Sequence, residues 1–259
     1  VNRTLSLLVL AALLAAGCVL YRYEAESPET TTWPAAGLDN LNFDIDNGAV
    51  TVTAADDTVI TALVTKSCRG TSQSDAEAHL ADIVTGDSTT GTTLFLWGNA
   101  PQPNSRSYNT KYEVTAPAAT GLYVNTENGA VELNGMDSTS GSATVIAANG
   151  AVRVAGHRGS LNVQAANGAI DCDVAGLWRL QAVVLHSANG RVTLALPADV
   201  SVGFELVTSN GSAVIESFTN VEYTQNDARH KRGYIGTQGT DVATVLVRSE
   251  NGNVTLKRR

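Results

Sequence analysis

The sequence predicts an all-β, single-domain parallel β-solenoid with about 20–21 residues per rung and one short helix. Three observations predict it. First, Asn-Gly pairs recur at Asn47-Gly48, Asn128-Gly129, Asn149-Gly150, Asn167-Gly168, Asn189-Gly190, Asn210-Gly211 and Asn251-Gly252. The central steps are 21, 18, 22 and 21 residues, and the longer gaps of 81 and 41 are close to four and two such steps. Second, apolar residues alternate around each pair. Six before Asn stand Leu122, Ala143, Leu161, Val183, Phe204 and Val245, and three after stand Val131, Val152, Ile170, Val192, Ala213 and Val254. Alternation with period two is the mark of a half-buried strand. Third, the residue two before Asn stays small: Thr126, Ala147, Ala165, Ser187, Thr208 and Ser249.

Asn-Gly between alternating runs is also a strong hairpin signal, so an antiparallel meander or barrel competes with the solenoid. A meander needs no shared column identities from one hairpin to the next. Stacked corners about 4.8 Å apart do, and the small column favours them. A lone rung buries too little apolar surface to offset the ordering of its backbone, so the rungs must stack. The crossover rule favours right-handed coiling. Asn128, Asn149, Asn167, Asn189 and Asn210 are then expected to form one ladder, their side-chain amides bonding between rungs. Glycine in the corners and in the return Gly156-His157-Arg158-Gly159 is read as tolerance of positive φ.

Three segments are expected along the chain. Residues 1–17 read as a lipoprotein signal peptide: Arg3, an apolar stretch from Leu5 to Leu14, then Ala15-Ala16-Gly17. Cys18 follows, and the arrangement resembles the bacterial lipobox, in which the Cys is acylated; Ala15 stands where Leu is usual. Residues 18–37, with Pro28 and Pro34, read as the lipidated Cys and a tether. Residues 38–259 are the solenoid, with a first repeat around Leu41, Phe43, Ile45, Val50 and Val52. Ser74-Asp75-Ala76-Glu77 reads as a capping box opening a helix of about ten residues that would cover an end or side of the coil. Strands are expected at 92–97 and 110–116. Arg229-His230-Lys231-Arg232 interrupts the beat between Asn210 and Asn251, and a protruding loop is expected there.

The net charge of −8, which becomes more negative once Arg3 is removed, argues against nucleic acid as a partner. Cys172 falls in an inward column and reads as a small buried hydrophobe. Pairing of Cys68 with Cys172 is left open in an exported protein. Glu132, Arg153 and Asp171 share the column four after Asn and could form a cross-rung ion-pair ladder or a catalytic row. Asp171 and Asp173 both face out, but a tight Ca²⁺ site needs six to eight oxygens. His79, His157, His186 and His230 lack metal-ligand spacing, and surface exposure is expected for most of them. No nucleophile motif such as Gly-x-Ser-x-Gly occurs, and Trp97 and Trp178 have no evident acidic companions in the sequence.

Together these features resemble the bacterial putative adhesin domain, a β-solenoid family of unassigned activity found in exported and membrane-anchored proteins. The resemblance rests on YEVTAPAATGLYVNTENGAVEL, LALPADVSVGFELVTSNGSAVIES and HKRGYIGTQGTDVATVLVRSENGNVTL. It implies attachment or scaffolding and carries no catalytic residue and no cofactor. The expectation is a non-enzymatic envelope lipoprotein, exported, anchored through Cys18, and sent to the outer membrane facing the periplasm or cell surface. Arg229, His230, Lys231 and Arg232 would contact an envelope protein or an anionic glycan or lipid. A carbohydrate-active β-helix enzyme and an envelope-stress sensing or scaffold component are the alternatives.

Overall fold

The structure is a computed structural model and describes residues 22–55, 58–101, 107–239 and 241–259. The expected signal peptide and Cys18 therefore lie outside the described residues. The chain begins with strands β1 (Tyr23–Pro34), β2 (Asn40–Asn47), β3 (Val50–Ala55) and β4 (Val59–Gly70). Helix α1 (Gln73–Ala78) and a 3-10 turn (Leu80–Asp82) follow. Next come β5 (Val84–Thr90), β6 (Thr93–Asn99) and β7 (Ser107–Pro117). The regular rungs are built by β8 (Gly121–Asn128), β9 (Val131–Asn134), β10 (Asp137–Asn149), β11 (Val152–Asn167), β12 (Ile170–Gly176), β13 (Ala182–Asn189) and β14 (Val192–Leu196). The chain closes with β15 (Val202–Asn210), β16 (Ala213–Glu216), β17 (Val221–Asn226), β18 (His230–Ile235), β19 (Ala243–Asn251) and β20 (Val254–Arg258).

The solenoid is present, and each Asn-Gly is a corner between two ladders. One ladder runs β6-β2-β8-β10-β11-β13-β19-β15, all neighbours parallel. The other runs β7-β3-β9-β11-β12-β14-β20-β16, also parallel. Every inward column position named above is buried, and these side chains form one continuous core. The five-after column behaves likewise at Leu133, Val154, Cys172, Leu194 and Leu256.

The corner glycines owe their identity to contact, not to φ. None of the seven is among the glycines with positive φ. A Cβ on Gly129, Gly150, Gly168, Gly190, Gly211 or Gly252 would stand 1.7–2.3 Å from the carbonyl oxygen of the neighbouring corner glycine. On Gly48 it would meet the Thr110 carbonyl at 1.6 Å. The close approach lets corner amides bond across rungs, as in Gly129 N–H to Asn149 O at 2.9 Å and Gly150 N–H to Asn167 O at 3.0 Å. The small column has its own chemistry: the hydroxyls of Thr126, Ser187, Thr208 and Ser249 donate to the carbonyls of Gly48, Gly168, Gly252 and Gly190. Each satisfies a carbonyl at a corner that is buried at Gly48 and half-buried at the other three, where an unmet polar group is costly.

The long gaps hold fewer stacked rungs than their length suggests. Asn47 pairs directly with Asn128, and the 80 residues between them include β6 and β7, which stack without an Asn-Gly pair on the far side of β2 and β3. At the other end the chain skips a slot. β15–β16 are laid down one position out, and β19–β20 return to fill the space beside β13–β14. The rung order in space is therefore Asn47, Asn128, Asn149, Asn167, Asn189, Asn251, Asn210.

Three further expectations need correction, and one strand is additional. Most of the proposed tether is strand: β1 pairs antiparallel with β4 along its whole length, Ala25 is buried, and Trp33 packs on the core. Its β-branched Thr30–Thr32 favour a strand, and Pro28 is tolerated because β1 pairs on one side only. β5, which forms a hairpin with β6, was not anticipated. The helix is shorter than expected and starts two residues earlier. Ser72 caps it through Oγ accepting from Asp75 N–H at 3.1 Å, while Asp75 takes the Thr71 amide at 2.8 Å. It packs against β1 and β4. Lastly, the expected basic loop is strand β18, hydrogen-bonded antiparallel to β15 and β17.

Candidate functional site

The amide ladder is complete and longer than anticipated. Nδ2 of each Asn donates to Oδ1 of the next at 2.7–2.9 Å, from Asn210 through Asn251, Asn189, Asn167, Asn149 and Asn128 to Asn47. Asn210 reaches Asn189 only through Asn251. This row stiffens one edge of the coil and leaves its outward columns as the surface that can meet a partner.

The basic run does not act as one patch. In β18 alternate side chains face opposite ways. His230 and Arg232 share the outward face with Val207 and Glu205 of β15, and His230 Nε2 lies 3.0 Å from Glu205 Oε1. Lys231 falls opposite inward Leu206. There it bonds the Asn226 side chain and lies 5.6 Å from the centre of the Tyr223 ring, which meets Phe204 edge-on. Lys231 thus covers the open end of the core with its stem, as amphipathic side chains do. Arg229 and Arg232 remain exposed. Arg232, with Glu205, Tyr234 and Leu246, helps line an open groove of about 1090 Å³.

Glu132, Arg153 and Asp171 are neighbours in register, as the columns require. Among the described residues no group of three or more His, Cys, Asp or Glu is placed to hold a metal. His79 contacts Asp82 at 2.7 Å, and His186 stands 4.0 Å from Glu250. His157 departs from expectation: it is fully buried, with Nε2 3.2 Å from the Ser160 carbonyl and no partner for Nδ1. Burial lowers its pKa, partly offset by that contact and by Asp137. Cys68 and Cys172 are both buried, on β4 and β12. Five strand spacings separate β4 from β12, about 24 Å at the usual sheet spacing. A disulfide needs Cα atoms within about 7 Å, so the open pairing is excluded.

The aromatic reading also changes. Trp97 of β6 stands in register with Asp44 of β2, which in turn faces Asn125 of β8. Asn125 Nδ2 donates to Asp44 Oδ1 at 2.8 Å. The companion of Trp97 is thus 53 residues away in sequence. It could have been found only by pairing the outward positions of 40–47 with those of 93–99. These residues line a groove of about 420 Å³. Trp178 sits differently, in a groove of about 410 Å³ beside an Arg179–Asp241 ion pair.

No helix among the described residues is long and apolar enough to cross a membrane. No curated protein sequence matches the chain. Solved structures do. A putative cell adhesion protein from Clostridium sporogenes ATCC 15579 aligns over 91% of this chain and 100% of its own, at 10% identity and a TM-score of 0.55. A putative adhesin from Bacteroides fragilis NCTC 9343 aligns over 90% of this chain and 97% of its own, at 14% identity and a TM-score of 0.44. The first of these likenesses shows a shared fold. A family model, Toastrack DUF4097, matches residues 31–257, spanning the stacked rungs and both irregular ends, and the chain belongs to that family.

Proposed function

We propose that this protein is a non-enzymatic lipoprotein of the cell envelope, exported and anchored through Cys18, whose solenoid presents a rigid surface for adhesion or scaffold contacts. One observation carries the reading: two closed backbone ladders and an unbroken amide row hold the outward side chains on a fixed lattice. A backbone fixed in this way lowers the ordering cost of binding. The Clostridium sporogenes protein that shares the fold is named a putative cell adhesion protein, in keeping with the same role. Arg229 and Arg232, exposed beside the groove at the β18 end, offer contacts to an anionic protein, glycan or lipid.

The test is made with cells carrying the full chain, the Cys18→Ala variant, or an Arg229→Ala/Arg232→Ala variant. The full chain is expected to fractionate with membranes, take an acyl label, and increase attachment to other cells or recover envelope partners. Cys18→Ala should lose label and membrane association. Unchanged attachment and unchanged recovered partners between cells with and without the protein would refute the contact role.

A further inference from the structure

On the outward face of β6, β2 and β8, two rows of three side chains stand in register: Phe95–Asn42–Tyr123 and Trp97–Asp44–Asn125. Strand spacing makes the grid about 10 Å wide, and its rows lie about 7 Å apart along the strands. Two of its three aromatic members are open, Trp97 at 37% and Tyr123 at 42% exposed, and Phe95 is half-buried. The Trp97 position is fixed from both sides. Its ring lies over Gly86 of β5, where an added Cβ would meet it at 2.3 Å, and its carbonyl accepts the Tyr112 hydroxyl at 2.7 Å. Trp178 over Gly176 covers a glycine in the same way, but its groove lacks flanking amides. The polar members stand between and beside the rings. Asp44 holds the Asn125 amide, and Asn42 Oδ1 is buried without a hydrogen-bond partner.

We propose that this grid is a subsite for a neutral saccharide of one or two pyranose units, and the inference rests on the contact role proposed above. An apolar sugar face matches a fixed indole or phenol ring, and the ring hydroxyls match amide and carboxylate acceptors and donors. The volume falls within the range of small-ligand sites. Charge selects among glycans: the lining includes Asp44 and no Lys, Arg or His. An anionic sugar would meet an uncompensated carboxylate, so acidic glycans are disfavoured here and neutral ones remain. This differs from the Arg229 and Arg232 end, where an anion would be favoured.

The test titrates the purified chain with cellobiose, chitobiose and lactose, with a sulfated heparin disaccharide as the charged counterpart. Tryptophan fluorescence and calorimetry are the readouts. At least one neutral disaccharide is expected to bind with a Kd of about 1 mM or below, near −4 kcal/mol. Trp97→Ala and Asp44→Ala should each weaken it tenfold or more. Asn125→Ala, on the outer face, supplies the same test if Trp97→Ala fails to fold, and Trp178→Ala should leave binding unchanged. Absence of binding by all three neutral disaccharides up to about 10 mM, preference for the sulfated one, or wild-type affinity in the folded Trp97→Ala protein overturns the proposal. Cells that attach through the protein while none of the three neutral disaccharides binds it keep the contact role and lose the saccharide subsite. Cells that never attach lose the contact role, whatever the titration reads.

Discussion

Replacing Gly150 by Ala tests the stacking argument most directly. A methyl group there would stand 1.9 Å from the Gly129 carbonyl oxygen, whereas ordinary contact begins at 3.4 Å. The two rungs would have to part locally by about 1.5 Å, the difference between these distances. Three bonds join them at that point: Gly129 N–H to Asn149 O at 2.9 Å, Val131 N–H to Ala151 O at 3.0 Å, and Asn149 Nδ2 to Asn128 Oδ1 at 2.9 Å. At about 0.5–1.5 kcal/mol each, their loss costs about 3 kcal/mol. Strain from overpacking adds about 1–3 kcal/mol. At roughly 2–4 °C per kcal/mol for a chain of this size, Tm should fall by about 10 °C or more. A Gly with negative φ in open space behaves oppositely, since Ala there stabilises by about 0.4–1 kcal/mol through the unfolded chain. Gly141 in β10, with nothing within 4 Å, provides that control. Thermal and urea unfolding followed by circular dichroism measure both variants. If Gly150→Ala leaves Tm unchanged or raises it, close approach is not why glycine occupies the corners.

Asn149→Ala removes two amide bonds from an exposed row and should cost about 1–2 kcal/mol by urea unfolding, whereas an end position such as Asn47→Ala should cost less. His157 is held below its ordinary pKa chiefly by burial, so its neutral form is favoured in the folded chain. Its contribution is full above the unfolded value of about 6.5 and is lost as pH falls from there toward the lower folded value. Stability measured against pH should therefore decline on that side, and His157→Leu should flatten the decline; an unchanged slope would show that other groups cause it. Burial, with Asp171 and Asp173 alongside, pushes the Cys172 thiol up. Iodoacetamide should leave Cys172 unlabelled in the folded chain at mildly alkaline pH and label it in denaturant, and labelling at the denatured rate in the folded chain would contradict its inward placement.

The regular rungs were legible because each obeys the same local rule. Leu122 through Val245 and Val131 through Val254 had to face inward once the pairs were aligned, and all are buried. Cys172 could be placed for the same reason. The irregular parts were not legible. The polar, proline-containing stretch 23–34 reads as tether until β4 is known to lie beside it. His157 sits between glycines in a return and looks exposed, yet it is fully buried beside Val174 of the next rung. The Arg229–Arg232 run looks like one patch, but the period of a strand sends Lys231 to the opposite face from His230 and Arg232. The Trp97–Asp44–Asn125 row joins three strands that no sequence spacing connects.

The sequence by itself determined the rung: its two strands, its Asn-Gly corner, its inward columns and the stacking that its small apolar content compels. Those follow from period-two alternation and from the cost of an isolated rung, which are local properties. Only the tertiary structure decided the order of the rungs. Every Asn-Gly rung presents nearly the same backbone edge to its neighbour, so the sequence pattern does not say whether Asn210 or Asn251 follows Asn189. The chain connection through β17 and β18 decides it, placing Asn251 in the ladder before Asn210. The same freedom at the other end set β6 beside β2 and assembled the aromatic and amide grid.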